Sequence, residues 1–147
     1  MIKLRNFSFF RFFSAVFIGM FFMMLVSGCL NTSFNQDGPV REVTDMLGRR
    51  VEIPVQVDSM IGVGPGALRL LVYMDLVDRV SGIEDVELRP GRPYTFARPA
   101  LVEKPVIGPY MGGDSELIAM NQPDVIFMAF STASDANDLQ NRTGIPV

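Results

Sequence analysis

Apolar and polar residues fall into three regimes along this chain. The first eleven residues carry Lys3, Arg5 and Arg11 and no acid, and residues 12–26 are apolar apart from Ser14. Residues 30–39 (LNTSFNQDGP) are polar, Gly/Pro-terminated and without period, the pattern of a tether. From residue 40 onward, short apolar runs alternate with helical spacing. Residues 41–44 and 50–53 flank Asp45-Met46-Leu47-Gly48-Arg49, which predicts a hairpin turning at Gly48. Residues 59–63 form a short apolar strand. Ala67, Leu70, Leu71 and Met74 recur at i, i+3, i+4, i+7, predicting a helix with one buried stripe.

Residues 79–83 read as the next strand. Residues 85–104 are rich in Pro, Arg and charge, and predict a loop with a short helix near Tyr94 to Ala100. Residues 105–107 are a short strand before the turn 108–113 (GPYMGG). Asp114 N-caps a helix running to about Asn121, which stops before Pro123. Residues 124–130 (DVIFMAF) have the unbroken apolar character of a strand buried on both faces. Ser134 is expected to cap a last helix that ends at Gly144, and residues 145–147 (IPV) read as the opening of another strand. The alternation implies an α/β architecture: a Rossmann-like, doubly wound, mostly parallel sheet preceded by a small N-terminal β-hairpin. Ligands on such sheets sit at the carboxyl ends of the strands. Those ends are Gly64-Pro65-Gly66, Glu84-Asp85, residues 108–113 and Ser131-Thr132.

Composition sharpens this picture once the N-terminus is set aside. Three of the thirteen basic residues precede Cys29 and no acidic residue does, so the remainder carries ten basic against sixteen acidic side chains. A net charge of −6 there argues against nucleic acid as a partner, which would require a basic face. One Cys and no His rule out an internal disulfide and a zinc or manganese site built on imidazole or thiolate. The same lack removes the usual catalytic triads and thiol dyads, so neither catalysis nor a cofactor is expected.

A charged start, an apolar run and small residues before Cys29 describe an export signal. Val26-Ser27-Gly28-Cys29 resembles the bacterial lipoprotein box, whose thiol receives a diacylglycerol group. The expected organisation is a signal peptide over residues 1–28, a lipidated Cys29 and tether over 29–39, and a folded domain over 40–147. An uncleaved membrane anchor is the alternative, although the apolar run is short for a bilayer, which takes about 20 residues. Both place the domain outside the cytoplasm.

Gly62-Val63-Gly64-Pro65-Gly66-Ala67 also fits G-x-G-x-x-A between a strand and a helix, with Glu84 at the end of the next strand. That is the pattern of a dinucleotide-binding turn whose acid holds a ribose hydroxyl. An export signal opposes it, because nicotinamide cofactors are cytoplasmic. Pro65 opposes it too, removing an N–H from the loop that would cradle a pyrophosphate.

Four stretches together resemble the N-terminal lobe of ABC-importer solute-binding proteins for siderophores, haem and cobalamin. They are residues 44–54 (TDMLGRRVEIP), 62–69 (GVGPGALR), 80–84 (VSGIE) and 114–127 (DSELIAMNQPDVIF). The resemblance covers residues 41–147 and implies a single lobe of a two-lobed binding protein, the second lobe missing through a truncated or split reading frame. It implies a metal chelate as ligand (ferric siderophore, haem or cobalamin), delivery to an ABC permease and its ATPase, and clamp closure without chemistry. A remnant lipoprotein without ligand is the other reading of such a fragment.

On matching positions the resemblance implies that Tyr110, followed by Met111, presents an aromatic face to the ligand; packing over its own loop is the competing use. Gly64, Pro65 and Gly66 would let backbone approach the ligand, or simply form a tight strand-to-helix turn. Arg69 can meet an anionic chelate or pair with a neighbouring acid. Glu116, in the first turn of its helix, would dock on permease arginines, while its charge also suits the helix start. Replacing the thiol by Cys29→Ser is expected to abolish labelling by a radioactive fatty acid in growing cells; undiminished labelling would contradict the anchor.

Overall fold

The computed structural model describes residues 38–147; Cys29, the signal segment and most of the tether lie outside the described residues. Strand β1 (Val40–Thr44) pairs antiparallel with β2 (Arg50–Pro54), and Gly48 at φ 77° makes the turn between them, as the sequence predicts. The hairpin owes its shape to Asp45. Its Oδ1 accepts the Leu47 and Arg49 amides at 2.8 and 2.9 Å, and its Oδ2 accepts Arg49 Nε at 2.7 Å. Burial opposes the charge, but those amides and the guanidinium hold the Asp45 carboxyl below its ordinary range. Arg49 then reaches outward to the Asn137 side chain at 2.9 Å and to the Val147 carbonyl, fastening the hairpin to the last segment.

A parallel sheet follows, with strand order β4-β3-β5: β3 (Met60–Val63) lies between β4 (Val80–Gly82) and β5 (Val125–Met128). Side chains of β3 alternate between two apolar clusters, as a strand covered on both faces requires. Met60 joins Leu68, Leu71, Val80, Ile83, Tyr94, Leu101 and Val125 on one face. Ile61 and Val63 join Ile107, Ile118, Ile126, Leu139 and Ile145 on the other. Helix α1 (Ala67–Tyr73) supplies Leu68 and Leu71 to the first cluster. Short helix α2 (Pro93–Ala97) closes it with Tyr94. Helices α3 (Ser115–Asn121) and α4 (Ala133–Thr143) supply Ile118 and Leu139 to the second. Asp124 aligns β3 and β5 by accepting the Asp58 and Ser59 amides, both at 2.8 Å, while its own amide donates to the Ser59 carbonyl.

Five expectations need correction. In α1 the buried residues are Ala67, Leu68 and Leu71, whereas Leu70 and Met74 are exposed. Gly62 explains the rotation: a Cβ there would stand 2.7 Å from the Leu68 nitrogen, so the helix start is pressed onto β3 and turns 67, 68 and 71 inward. Residues 105–107 form only one parallel bridge, Ile83 to Val106, because Pro105 has no N–H to extend the ladder. The apolar run 124–130 is not buried throughout. Strand β5 ends at Met128, it is the outer strand of the sheet, and Phe127 is partly exposed.

Thr132, not Ser134, caps α4. Its hydroxyl accepts the Asp135 amide at 3.2 Å, and Asp135 returns an acceptor to the Thr132 amide at 3.0 Å. The carboxylate at the third helical position selects the cap, since it completes a reciprocal pair that Ser134 could not make. Residues 145–147 form no assigned strand, yet the Ile126 amide donates to the Pro146 carbonyl at 2.8 Å beside β5. Thr132→Ala is expected to lower stability by about 1 kcal/mol in urea denaturation, and Ser134→Ala by a few tenths at most.

Candidate ligand-binding site

The carboxyl ends of β3, β4 and β5 and the loop 108–113 meet around Glu84. This residue follows β4 and is 2 % exposed. Its Oε2 accepts the Gly64 amide at 3.1 Å and its Oε1 accepts the Gly112 amide at 3.2 Å. The turn after β3 and the loop before α3 are thus brought side by side on one carboxylate. Burial pushes the Glu84 carboxyl above its ordinary 4.5; the Gly112, Gly64 and Met111 amides pull the other way, and Glu87 adds to the rise.

Gly64, Pro65 and Gly66 occupy the turn between β3 and α1. Gly64 has φ 90°, and a Cβ there would sit 2.4 Å from the Ala129 carbonyl oxygen, so only glycine fits between the ends of β3 and β5. Gly66, at φ 81°, is the residue before α1 and gives it no side-chain cap. Arg69 is exposed and folds back over this turn, with Nη2 3.1 Å from where a Gly66 Cβ would stand. It makes no ion pair among the described residues, so the neighbouring-acid use is not realised.

On the opposite loop, Tyr110 is 42 % and Met111 63 % exposed. The Tyr110 amide donates to Asp85 Oδ1 at 3.0 Å. Met111 is held at φ 69°, a conformation non-glycine residues adopt at a cost. A second buried carboxylate, Glu87, accepts the Tyr94 hydroxyl and pairs with Arg92 Nε at 3.4 Å. Burial and the Glu87 bond push the Tyr94 hydroxyl up to about 12. Glu116 is exposed in the first turn of α3, whose cap Asp114 accepts the Glu116 and Leu117 amides at 2.8 and 3.2 Å. It stands on the helix that the 108–113 loop leads into.

One candidate escaped the sequence reading. Phe130 is 89 % exposed with φ 56°, beside the Ala129 carbonyl that touches Gly64. Its place inside an apolar run concealed it, and only the end of β5 at Met128 releases it to the rim. Glu84 also differs from the dinucleotide pattern. A ribose-binding acid must face the cleft, whereas this carboxylate is turned inward and occupied by backbone amides.

No protein-family model and no curated protein matches the sequence. Solved structures do match. A molybdate periplasmic binding protein of an ABC transporter from Haemophilus influenzae, MolA, superimposes with TM-score 0.62 at 24 % identity over 73 % of this chain and 33 % of its own. A periplasmic solute-binding protein from Veillonella parvula gives 0.58 at 22 % over 74 % and 34 %. Helicobacter pylori CeuE, solved with a nickel–histidine complex, gives 0.58 at 19 % over 73 % and 35 %. The chain shares the fold of part of these binding proteins. The chain spans about a third of the length of these proteins, as one lobe of such a fold would.

Glu84, just beyond β4, serves as an internal tie between two loops. Because the folded Glu84 carboxyl titrates above 4.5, the stability its proton confers is fully present below about pH 4.5 and is lost as pH rises through the raised value. Glu84→Gln carries no such proton. The stability of the wild type relative to Glu84→Gln, measured by denaturation at successive pH values, is expected to fall from about pH 4 to neutrality. A difference that rises over that range would contradict the assignment.

Proposed function

We propose that this chain is the ligand-binding lobe of an extracytoplasmic solute-binding protein that serves an ABC permease and its ATPase, with Cys29 as its lipid anchor. The ligand is a metal chelate: a ferric siderophore or haem in the first instance, with cobalamin as a further member of the class. The reading is supported by the Glu84 tie between the turn before α1, which carries Arg69 with no ion pair among the described residues, and the loop of exposed Tyr110 and Met111, with exposed Phe130 just beyond the end of β5. Aromatic and thioether surface suits a flat, conjugated ligand, and a guanidinium suits the carboxylates or phenolates at its edge. CeuE, of the same fold, was solved with a metal chelate. MolA was solved with the small oxyanion molybdate. An exposed aromatic rim offers such an oxyanion little, which favours the chelate.

Binding proceeds by closure and involves no bond making. This lobe supplies one wall, with Gly64, Pro65 and Gly66 letting backbone approach the ligand, Tyr110 and Met111 covering it from the other loop, and Arg69 taking its negative edge. Glu116, on the exposed start of α3, meets basic residues of the permease, which speeds encounter more than it deepens affinity. A single wall forgoes the contacts of the opposing lobe, and each 1.4 kcal/mol lost weakens binding about tenfold.

Calorimetric titration with haemin, a ferric catecholate siderophore and molybdate tests the reading. A chelate is expected to bind saturably at micromolar or weaker affinity, about tenfold more weakly after Tyr110→Ala, and more tightly than molybdate. Submicromolar binding would contradict the single-wall account. Failure of both chelates to bind would sink the chelate reading and favour a lipoprotein without ligand.

A further inference from the structure

Four polar side chains among the described residues are buried: Glu84, Glu87, Thr95 and Thr143. Three are satisfied close to home. Thr143 donates to the Leu139 carbonyl one helical turn back, Thr95 donates to the Arg92 carbonyl, and Glu87 is held by Tyr94 and Arg92. Glu84 alone spends its two oxygens on two segments, 20 residues back and 28 residues ahead in the chain. A buried carboxylate is costly, and a turn of this kind would be served as well by an apolar residue unless the acceptors were needed.

The loop 108–113 is what needs them. Gly108, Met111 and Gly113 all lie in the left-handed region, at φ 119°, 69° and 63°. The base of the loop is closed by the Asp114 amide on the Ile107 carbonyl at 2.8 Å and by the Gly113 amide on the Pro109 carbonyl at 3.0 Å. Its tip is held by side chains of the β4 end: the Tyr110 amide on Asp85 and the Gly112 amide on Glu84. Asp85 is exposed, so its bond competes with water more than the part-buried bond to the Glu84 carboxylate does. We propose that Glu84 is the positioning residue of the strand-end site: it fixes where the loop carrying Tyr110 and Met111 stands relative to the Gly64–Gly66 turn. Its consequence for ligand presentation rests on the function proposed above; the positioning itself does not.

The test therefore uses no ligand. In the full chain, solubilised in mild detergent and labelled with nitrogen-15, the amides of Gly64 and Gly112 donate to one carboxylate. Their resonances are expected to titrate together with a common midpoint, which lies above that of a free glutamate. Separate midpoints, or no titration, would overturn the proposal without any variant being made.

Glu84→Gln supplies the second arm. The isostere fills the same space but turns an N–H₂ toward one of the two donors. Hydrogen exchange is expected to quicken about tenfold at Gly64 and residues 110–113, with β5 and α4 unchanged. Gly112→Ala keeps the donor, and a Cβ there meets nothing within 4 Å, so the loop should exchange as in the wild type. Loop exchange unaffected by Glu84→Gln would mean that the side chain only fills space. Equal acceleration throughout β5 and α4 would mean general destabilisation. Either result refutes positioning. Loss of chelate binding with the shared titration intact would instead count against the proposed function alone.

Discussion

A carboxylate removed from water must be surrounded by donors, and at the end of β4 those donors are backbone amides from two distant parts of the chain. Glu84 accepts Gly64 at one oxygen and Gly112 at the other. The turn that starts α1 and the loop that leads to α3 are consequently fixed in relation to one another, and with them Arg69, Tyr110 and Met111. The raised affinity of this carboxyl for its proton expresses the same conflict between burial and hydrogen bonding. The arrangement also accounts for the inward turn of a residue whose sequence position suggests a nucleotide acid.

Two further carboxylates, both partly exposed, also gather backbone amides. Asp45 shapes the hairpin turn and orients Arg49, which carries the hairpin to Asn137 and Val147. Asp124 joins the beginnings of β3 and β5 through the Asp58 and Ser59 amides. The motifs T-D-x-x-G-R and P-D-V-I thus record hydrogen-bonding tasks, within the hairpin and between distant segments. They set the frame on which the strand ends are displayed, and they do not themselves touch the site.

Much of this was legible in the sequence because it is decided locally. Gly48, Asp114 and Gly144 mark a turn, a cap and a helix end through conformations and acceptors that neighbours cannot override. What escaped was decided between elements. The buried face of α1 follows from contact of Ala67 and Leu68 with Gly62, which no periodicity within the helix reports. The exposure of Phe127 follows from the place of β5 at the outer side of the sheet and that of Phe130 from the end of the strand at Met128, and an apolar run reads the same whether one face or two are covered. The cap at Thr132 was readable in principle, since Asp135 stands three residues beyond it. Of the site, the α/β alternation marked Gly64, Pro65, Gly66, Tyr110 and Met111 as strand-end positions, whereas Arg69 and the ligand-facing role of Tyr110 were legible only through a family resemblance. Their proximity required the tie at Glu84.

The central claim is that a metal chelate rests on these strand ends. Hydrogen exchange of the full chain with and without saturating haemin addresses it most directly. Slowed exchange at residues 64–69, 108–113 and 129–132, with the hairpin 40–54 unaltered, is the predicted result. Protection confined to the hairpin or to the outer face of α1, or no protection at all, would contradict it.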